Sequence, residues 1–327
     1  MQANSVSGPM VSVIMPAYNS ETFIEESVRS VLGQTFSDLE LLVVDDGSTD
    51  GTSARLAQIH DPRLKVIHHK SNLGVSAAGN TGIRAASGSF ICCIGSDDIW
   101  LPSKLEEQLA VAHAAPDVAV VYSWLGLIDS EGRVSPRVEM PDLDHDPIAT
   151  LAGGRCLVIT TVMIRRNAIT ISDWMDPSLK AGEDWDLFLR MALAGVKFRG
   201  IRKPLVYARM RPDSLSRDPA NAEMIQVAFT KLESLLPQYP NVLTPRVMSG
   251  AAFRSAQWSI GMEHPRNAWR FLARAVRLDR RLAFDPRFSR ELLTLLLLVV
   301  LPRPWYRSLR SRFGPDSAAR GAQLLMK

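Results

Sequence analysis

The sequence predicts an α/β protein with a mostly parallel central sheet flanked by helices, followed by a C-terminal helical region. Three observations carry that prediction. Short β-rich apolar runs alternate with helix-period segments over the first hundred residues, polar clusters stand where those runs end, and beyond Ser216 only helical periodicity remains. With 327 residues, 46% apolar and 22% charged, the chain can hold one large domain or two ordinary ones around a full core.

Val11–Met15 is the first strand, closed by Pro16-Ala17-Tyr18-Asn19. Phe23, Ile24, Val28, Val31 and Leu32 recur at helical spacing through Thr22–Leu32. Leu39–Val44 is the second strand, ending in the loop Asp45–Gly51, and a short helix near Ser53–Ile59 leads to a third strand, Leu64–His68. Asn72–Ala86 reads as a loop entering a helix, and Phe90–Ile94 as a fourth strand. Ligands of such sheets bind beyond the carboxyl ends of the strands, where Ala17–Asn19, Asp45–Ser48 and Ser96–Asp98 fall.

An amphipathic helix follows from Pro102 to about Ala114, then a strand at Val118–Trp124 and a hairpin turn at Glu131-Gly132. Val134–His145, polar and proline-punctuated, is expected to be a mobile loop able to close over a ligand. Cys156–Arg165 reads as a strand and Asp184–Ala194 as a helix. No nucleotide-cradling GxGxxG follows a strand, which disfavours a dinucleotide-dependent dehydrogenase. The expected division is a disordered N-terminus at 1–10, an α/β domain at 11–216 and a basic helical region at 217–327.

The start, MQANSVSGPM, does not read as a secretory signal. Three cysteines form neither a disulfide framework nor a zinc spacing, so a reducing cytoplasm is expected. The net charge of +4 is unevenly spread: from His264 onward, thirteen arginines and one lysine face four carboxylates, a net of about +10. A basic tail of this kind seeks an anionic surface. No motif or aromatic platform for nucleic acid accompanies it.

Three motifs carry chemistry. In VVDDGSTD, Asp45 ends a strand and can accept the N–H of a base such as uracil; turn chemistry alone explains the same letters. In GSDDIW, Asp97 and Asp98 are expected to splay to opposite sides of a strand end. One can then hold ribose hydroxyls while the other coordinates Mg²⁺ or Mn²⁺ at a diphosphate, although a helix cap is the plainer use of such acids. In GEDWDLFLRMALAG, Glu183, Asp184 and Asp186 begin an apolar-periodic helix, where acids complement the helix dipole. A functional Asp184 would be a general base.

Taken together, VSVIMPAYNS, QTFSDLELLVVDDGSTDGT, NLGVSAAGNTGI, SDDIWLPSKLE and GEDWDLFLRMALAG make residues 11–216 resemble an inverting glycosyltransferase of family 2. The resemblance implies a GT-A fold, a Rossmann-like α/β sandwich, acting on a nucleoside-diphosphate sugar. It places Pro16, Ala17 and Tyr18 in the nucleotide pocket, Asp45 on the base, Asp97 on the ribose, Asp98 on the metal and Asp184 as catalytic base. It also implies a UDP- or other sugar donor, a glycan or lipid-linked acceptor, and work in cell-surface polysaccharide or lipopolysaccharide synthesis.

Three positions depart from the family pattern. Gly79 stands where members often carry Arg, Arg211 where many carry His, and Gly95 where an Asp often precedes the acidic pair. Arg209 and Arg211 are therefore expected to take up diphosphate charge bidentately. Two rival readings are a non-catalytic sugar-nucleotide-binding or scaffolding protein of the same fold, and a nucleotidyltransferase. The intact EDWD disfavours the first, and VIMPAYNS lacks the basic, glycine-rich phosphate loop of the second.

At the C-terminus, Leu292–Leu301 is apolar all round but far short of the roughly 20 residues a spanning helix needs. Arg303, Trp305, Tyr306, Arg307, Arg310 and Arg312 follow it. Peripheral contact with the inner face of a membrane is one expectation; burial in a small helical bundle is the other.

Overall fold

The computed structural model describes residues 8–168, 174–179, 182–210, 229–261, 263–302 and 305–306. The expectations made for residues 1–7, for Arg211 and for Arg303, Arg307, Arg310 and Arg312 lie outside the described residues. The chain forms two compact units, Met1–His145 with Leu157–Ser214, and Asp146–Cys156 with Leu215–Lys327. The second takes in the segment Asp146–Cys156, which the sequence reading leaves inside the first domain.

Along the chain run β1 (Val11–Ala17), α1 (Ile24–Leu32), β2 (Leu39–Asp45), α2 (Thr52–Ala57), β3 (Leu64–His68), α3 (Val75–Ala85) and β4 (Phe90–Cys93). Then come β5 (Ile99–Trp100), α4 (Lys104–Ala114), β6 (Val118–Ile128), β7 (Val134–Val138), α5 (Pro147–Ala152), β8 (Val162–Arg165), α6 (Glu183–Leu193) and β9 (Lys197–Arg209). Among the described residues the strands make one sheet in the order β3-β2-β1-β4-β8-β6-β9-β5, with β7 paired to β6 off that path. β1, β2, β3 and β4 are mutually parallel, and β6 pairs parallel with β9. β8 runs antiparallel to both β4 and β6, so it begins beside the end of β4.

Every residue of β2 is buried, as a strand covered on both faces requires. The sequence reconciles this with Glu40 by surrounding its carboxylate with donors. Ser12 Oγ lies at 2.6 Å, Ser87 Oγ at 2.7 Å and Lys65 Nζ at 2.8 Å. Burial alone would raise the Glu40 pKa; these bonds outweigh it and bring the group down to about 2. On the same sheet face, a Cβ at Gly82 would come within 2.5 Å of Ile14 Cγ2, so glycine lets α3 settle against β1.

Two elements differ from the sequence expectation. Val134–Val138 is a strand hydrogen-bonded to β6, and Met140 and Leu143 are buried, so most of this stretch is anchored rather than a free lid. Gly132, at φ +83°, permits the tight turn that brings β7 back onto β6. The strand expected from Cys156 begins only at Val162, because Thr160 and Thr161 curl into a 3₁₀ turn. Trp100 Nε1 donates to the Thr160 carbonyl at 3.1 Å and Gln108 Nε2 to that of Thr161 at 2.8 Å, which removes both from the sheet ladder.

The second unit is helical: α5, α7 (Pro245–Gly261), α8 (Pro265–Leu278) and α9 (Pro286–Val300). α8 buries Ala268, Phe271, Leu272 and Ala275, with Phe271 edge-on to Phe229 at 5.3 Å. α9 turns Glu291, Leu295 and Leu298 inward, and Gln257 of α7 donates to Glu291 at 3.0 Å. Among the described residues no helix is long and apolar enough to cross a membrane.

Candidate active site

Of the acids singled out in the sequence, Asp45, Asp97 and Asp98 stand at or just beyond the carboxyl ends of the parallel strands β2 and β4. Ala17 and Asp45 are partners at the last rungs of β1 and β2. The loops beyond them are tied together: Asn19 N–H donates to Ser48 Oγ at 3.1 Å, Thr49 N–H to Asn19 Oδ1 at 2.9 Å, and Ser20 N–H to Thr52 Oγ1 at 2.8 Å. Pro16 and Ala17 form the end of β1, and Tyr18 beyond them leaves its side chain 44% exposed on this rim. An exposed ring at a strand end is free to stack on a planar ligand.

Asp45 is buried and accepts from Ser48 N–H at 3.0 Å and from the Ser53 hydroxyl, with His68 Nδ1 at 3.3 Å. Burial would raise its pKa, but those bonds and the His68 ring hold it below the usual value. Asp46 is saturated in another way. Its carboxylate receives the backbone N–H groups of Leu73 and Gly74, the latter at 2.8 Å, and faces His69 Nδ1 at 2.7 Å. It latches the start of α3 to the end of β2. Gly47, at φ +72°, allows this: a Cβ there would fall 2.6 Å from the Ser71 carbonyl carbon.

Asp97 and Asp98 do not splay. Asp98 N–H donates to Gly95 O at 3.2 Å, closing a turn in place of a pleated strand end. Both carboxylates come back over Gly95: Asp98 Oδ2 and Asp97 Oδ1 lie 3.0 Å and 3.1 Å from the point its Cβ would occupy. The alternation rule fails here because the residues have already left the sheet. Burial, and then the charge of Asp97, push the Asp98 carboxyl up to about 7.

Other elements hold Asp98 in place. Its Oδ1 accepts the Arg209 N–H at 3.0 Å, its carbonyl accepts Ser27 Oγ at 2.6 Å, and the Thr160 hydroxyl hydrogen-bonds its carboxylate. Thr160 is itself fixed by Trp100, whose Nε1 also approaches Thr160 Oγ1 at 3.3 Å. Beneath Trp100 lies Lys104, fully buried, with Nζ 3.9 Å from the ring centroid and 2.7 Å from Gln108 Oε1. Burial lowers this amine to about 8. Thr160 and Ser27 escape the sequence reading, since no motif marks them, and Lys104 was read only as part of a helix. Only Lys104, a lysine inside SDDIWLPSKLE, carried any signal.

The expected phosphate role of Arg209 meets a different geometry. Its Nε donates to Asp97 O at 2.9 Å, Nη1 to Asp129 O at 2.9 Å and Nη2 to Glu26 Oε2 at 2.7 Å, and the guanidinium lies 4.3 Å over Phe23. All three nitrogens serve protein oxygens here, so Arg209 braces the acidic turn in this structure. Arg211 lies outside the described residues. Gly79 also has a local reason, and Asn80 beside it holds Met175 from both sides. A Cβ at residue 79 would meet Met175 Sδ at 3.1 Å; Asn80 Nδ2 donates to Met175 O at 2.7 Å, and Asn80 Oδ1 accepts the Met175 N–H at 3.0 Å. The NLGVSAAGNTGI segment thus clamps the Trp174–Met175 stretch instead of offering a side chain at 79.

Asp184 sits in the first turn of α6, half-buried, with Oδ1 accepting the Trp185 N–H at 2.7 Å. Burial, and then Glu183, push its carboxyl up to about 7. Asp186, by contrast, is buried and paired with Arg190 at 2.8 Å, and Arg190 also donates to Trp174 O at 2.6 Å. Of the three acids opening this helix, Asp186 is structural.

For a cation the donor set is small. Among the described residues no three His, Cys, Asp or Glu side chains converge on one position. What does fit is the hard-oxygen pair over Gly95, suited to Mg²⁺ or Mn²⁺ that takes its other ligands from substrate and water. A groove of about 510 Å³ lined by Glu26, Arg29, Trp100, Ile128 and Tyr207 holds none of the strand-end aspartates.

Comparison with known proteins bears on this geometry. The family model for glycosyl transferase family 2 matches residues 12–170. WfgD of Escherichia coli, a UDP-Glc:α-D-GlcNAc-diphosphoundecaprenol β-1,3-glucosyltransferase, is 35% identical over 150 residues, covering 46% of this chain and 59% of WfgD. TuaG of Bacillus subtilis, described as a teichuronic acid biosynthesis glycosyltransferase, is 32% identical over 214 residues, covering 64% of this chain and 82% of TuaG. EpsE of the same organism, described as a glycosyltransferase, is 30% identical over 255 residues, covering 74% of this chain and 89% of EpsE. Among solved structures, S. aureus TarS 1-349 superposes with a TM-score of 0.61 at 20% identity, over 93% of this chain and 92% of that one. That likeness shows the GT-A fold.

Proposed function

Because this chain belongs to glycosyltransferase family 2 and is a glycosyltransferase, we propose that it transfers a sugar with inversion from a nucleoside diphosphate to an acceptor hydroxyl. The observation that carries this reading is the Asp97–Asp98 pair folded over Gly95 at the carboxyl edge of the sheet. Tyr18 and Asp45 at the adjacent strand ends would take the base, and Asp97 the ribose. Asp98 would hold a divalent ion. When bound, that ion supplies positive charge beside the departing diphosphate.

The remaining work falls to this chain's residues. Asp184 accepts the proton of the acceptor hydroxyl, whose oxygen attacks the anomeric carbon from the side opposite the diphosphate. The new carbon–oxygen bond forms as the old one breaks, and its electron pair leaves on the diphosphate. A carboxyl at about 7 suits this task, because its base form is present at neutral pH and still basic enough to take a proton. Arg209 and Thr160 keep the Asp97–Asp98 turn in place. Arg211 remains the proposed diphosphate contact.

WfgD by its name uses UDP-Glc and a diphosphoundecaprenol-linked acceptor, and TuaG is described in teichuronic acid biosynthesis. These relatives support a UDP-sugar donor, a lipid-linked or glycan acceptor, and a role in cell-surface polysaccharide synthesis. A nucleotide-release screen over UDP-Glc, UDP-GlcNAc and GDP-Man, with and without EDTA, tests donor and metal together. NMR of the product then reads the anomeric configuration. A retained configuration overturns the inverting mechanism, and no release from any donor overturns the catalytic reading.

A further inference from the structure

Helix α9 is apolar on two opposite faces. Glu291, Leu295 and Leu298 point into the second unit. On the other side Leu293, Leu296, Leu297 and Val300 follow one another at helical spacing, 58%, 43%, 38% and 76% exposed. The stripe has an aromatic residue beyond each end: Phe284 before the helix, 89% exposed, and Trp305 after it, 69% exposed. A helix at a water-facing surface ordinarily turns charged residues outward. A contiguous apolar row there marks an interaction surface.

Charge decides the occupant. Arg280, Arg281, Arg287 and Arg290 are exposed around the start of α9, and the chain from His264 onward carries about +10. Two copies meeting through this face would bring like charges together. An anionic sheet of headgroups over an apolar interior complements both features. At fifteen residues, about 22 Å, α9 is too short to cross a hydrocarbon core of about 30 Å but long enough to lie along its boundary. Tryptophan at the helix end and arginines at its start suit the headgroup level.

We propose that the outer face of α9, from Phe284 to Trp305, is a docking surface for an anionic lipid bilayer. It deepens the lipid-linked acceptor reading, which gives it a purpose, but its evidence is independent of that reading.

The test uses the full chain with extruded vesicles, of phosphatidylcholine alone or mixed equally with phosphatidylglycerol, read by co-sedimentation. The expected result is binding to the anionic vesicles about tenfold tighter than to the neutral ones, weakening several-fold at high salt. The double variant Leu293→Gln/Leu297→Gln alters only exposed side chains; circular dichroism melting confirms its fold. It should lose about tenfold in vesicle affinity while keeping its rate on a soluble acceptor. The proposal is overturned if the native chain ignores anionic vesicles at low salt, as it would were the rest of the chain to cover this face. It is also overturned if the double variant binds them as well as the native chain. A native dimer in analytical ultracentrifugation that the double variant converts to monomer would reassign the face to a second copy. Asp184→Asn should bind vesicles normally, so failure of the catalytic reading and failure of this one give different results.

Discussion

Asp45–Asp46 and Asp97–Asp98 are the same two letters at or beyond the ends of two parallel strands, β2 and β4, that flank β1, yet their surroundings differ. The first pair is met by donors: Ser48, Ser53 and His68 on Asp45, and two backbone N–H groups with His69 on Asp46. The second pair is folded back over Gly95, where burial, and then the charge of Asp97, push Asp98 up to about 7. Asp46 is therefore structural, because the following loop supplies its hydrogens, whereas the turn at Asp97–Asp98 directs both carboxylates at one point.

Asp184 belongs with the second kind. Asp184→Asn should leave donor binding intact and reduce transfer by about two to four orders of magnitude, measured as single-turnover rate against calorimetric affinity. Parallel loss of both would move Asp184 into the donor site. Next in size, Asp98→Asn should reduce transfer by about 10²–10³ without lowering the melting temperature of the metal-free protein. Asp46→Ala should do the reverse, destabilising the fold by about 2–4 kcal/mol through its stranded N–H donors while sparing the rate of the folded fraction. Equal stability losses in the two variants would erase the distinction between the pairs.

The pH dependence of stability should carry both signs. Asp98 and Asp184 have raised values in the folded state, so their contribution is full below about pH 4 and declines as pH rises toward about 7. Glu40 and Asp45 have lowered values; theirs is present above about pH 4 and is lost on acidification, for Glu40 through about 2. Melting temperatures from pH 3 to 8 without metal should fall between 4 and 7, and Asp98→Asn should flatten that fall. In activity, the rate should climb with pH up to about 7 as Asp184 ionises. Glu183→Gln should move that limb to lower pH, since Glu183 is the second cause of the shift after burial. The smallest effect belongs to Thr160→Val, which should weaken Mn²⁺ binding in the presence of UDP by about fivefold, read by calorimetry.

Much of the sheet was legible because its strands are short apolar runs closed by polar turns, and β1 to β4 fall within a residue or two of their expected bounds. The strand-end positions of Asp45, Asp97 and Asp98 were legible too, as was the place of Asp184 at the start of a helix. What escaped depends on partners distant in the chain. Arg209 is bound by Glu26, 183 residues away, and no local pattern tells a phosphate-seeking arginine from a bracing one. Thr160 matters only because the antiparallel β8 starts beside the end of β4. The orientation of Asp97 and Asp98 was misread because alternation was extended one turn past the strand.

The three cysteines acquire a use from where they lie. Cys92 and Cys93 are buried in β4 of the first unit, their thiols pushed up to about 11 and about 12 by burial, while Cys156 lies partly accessible in the second. A thiol reagent reacts with the thiolate, so the β4 pair stays silent until the sheet opens, whereas Cys156 answers in the native state. Followed by mass spectrometry at neutral pH, alkylation of the unmodified chain therefore separates native-state labelling at Cys156 from openings that expose the centre of the sheet. Ligands that tighten the first unit would be seen as a slowing of the second and third labels alone.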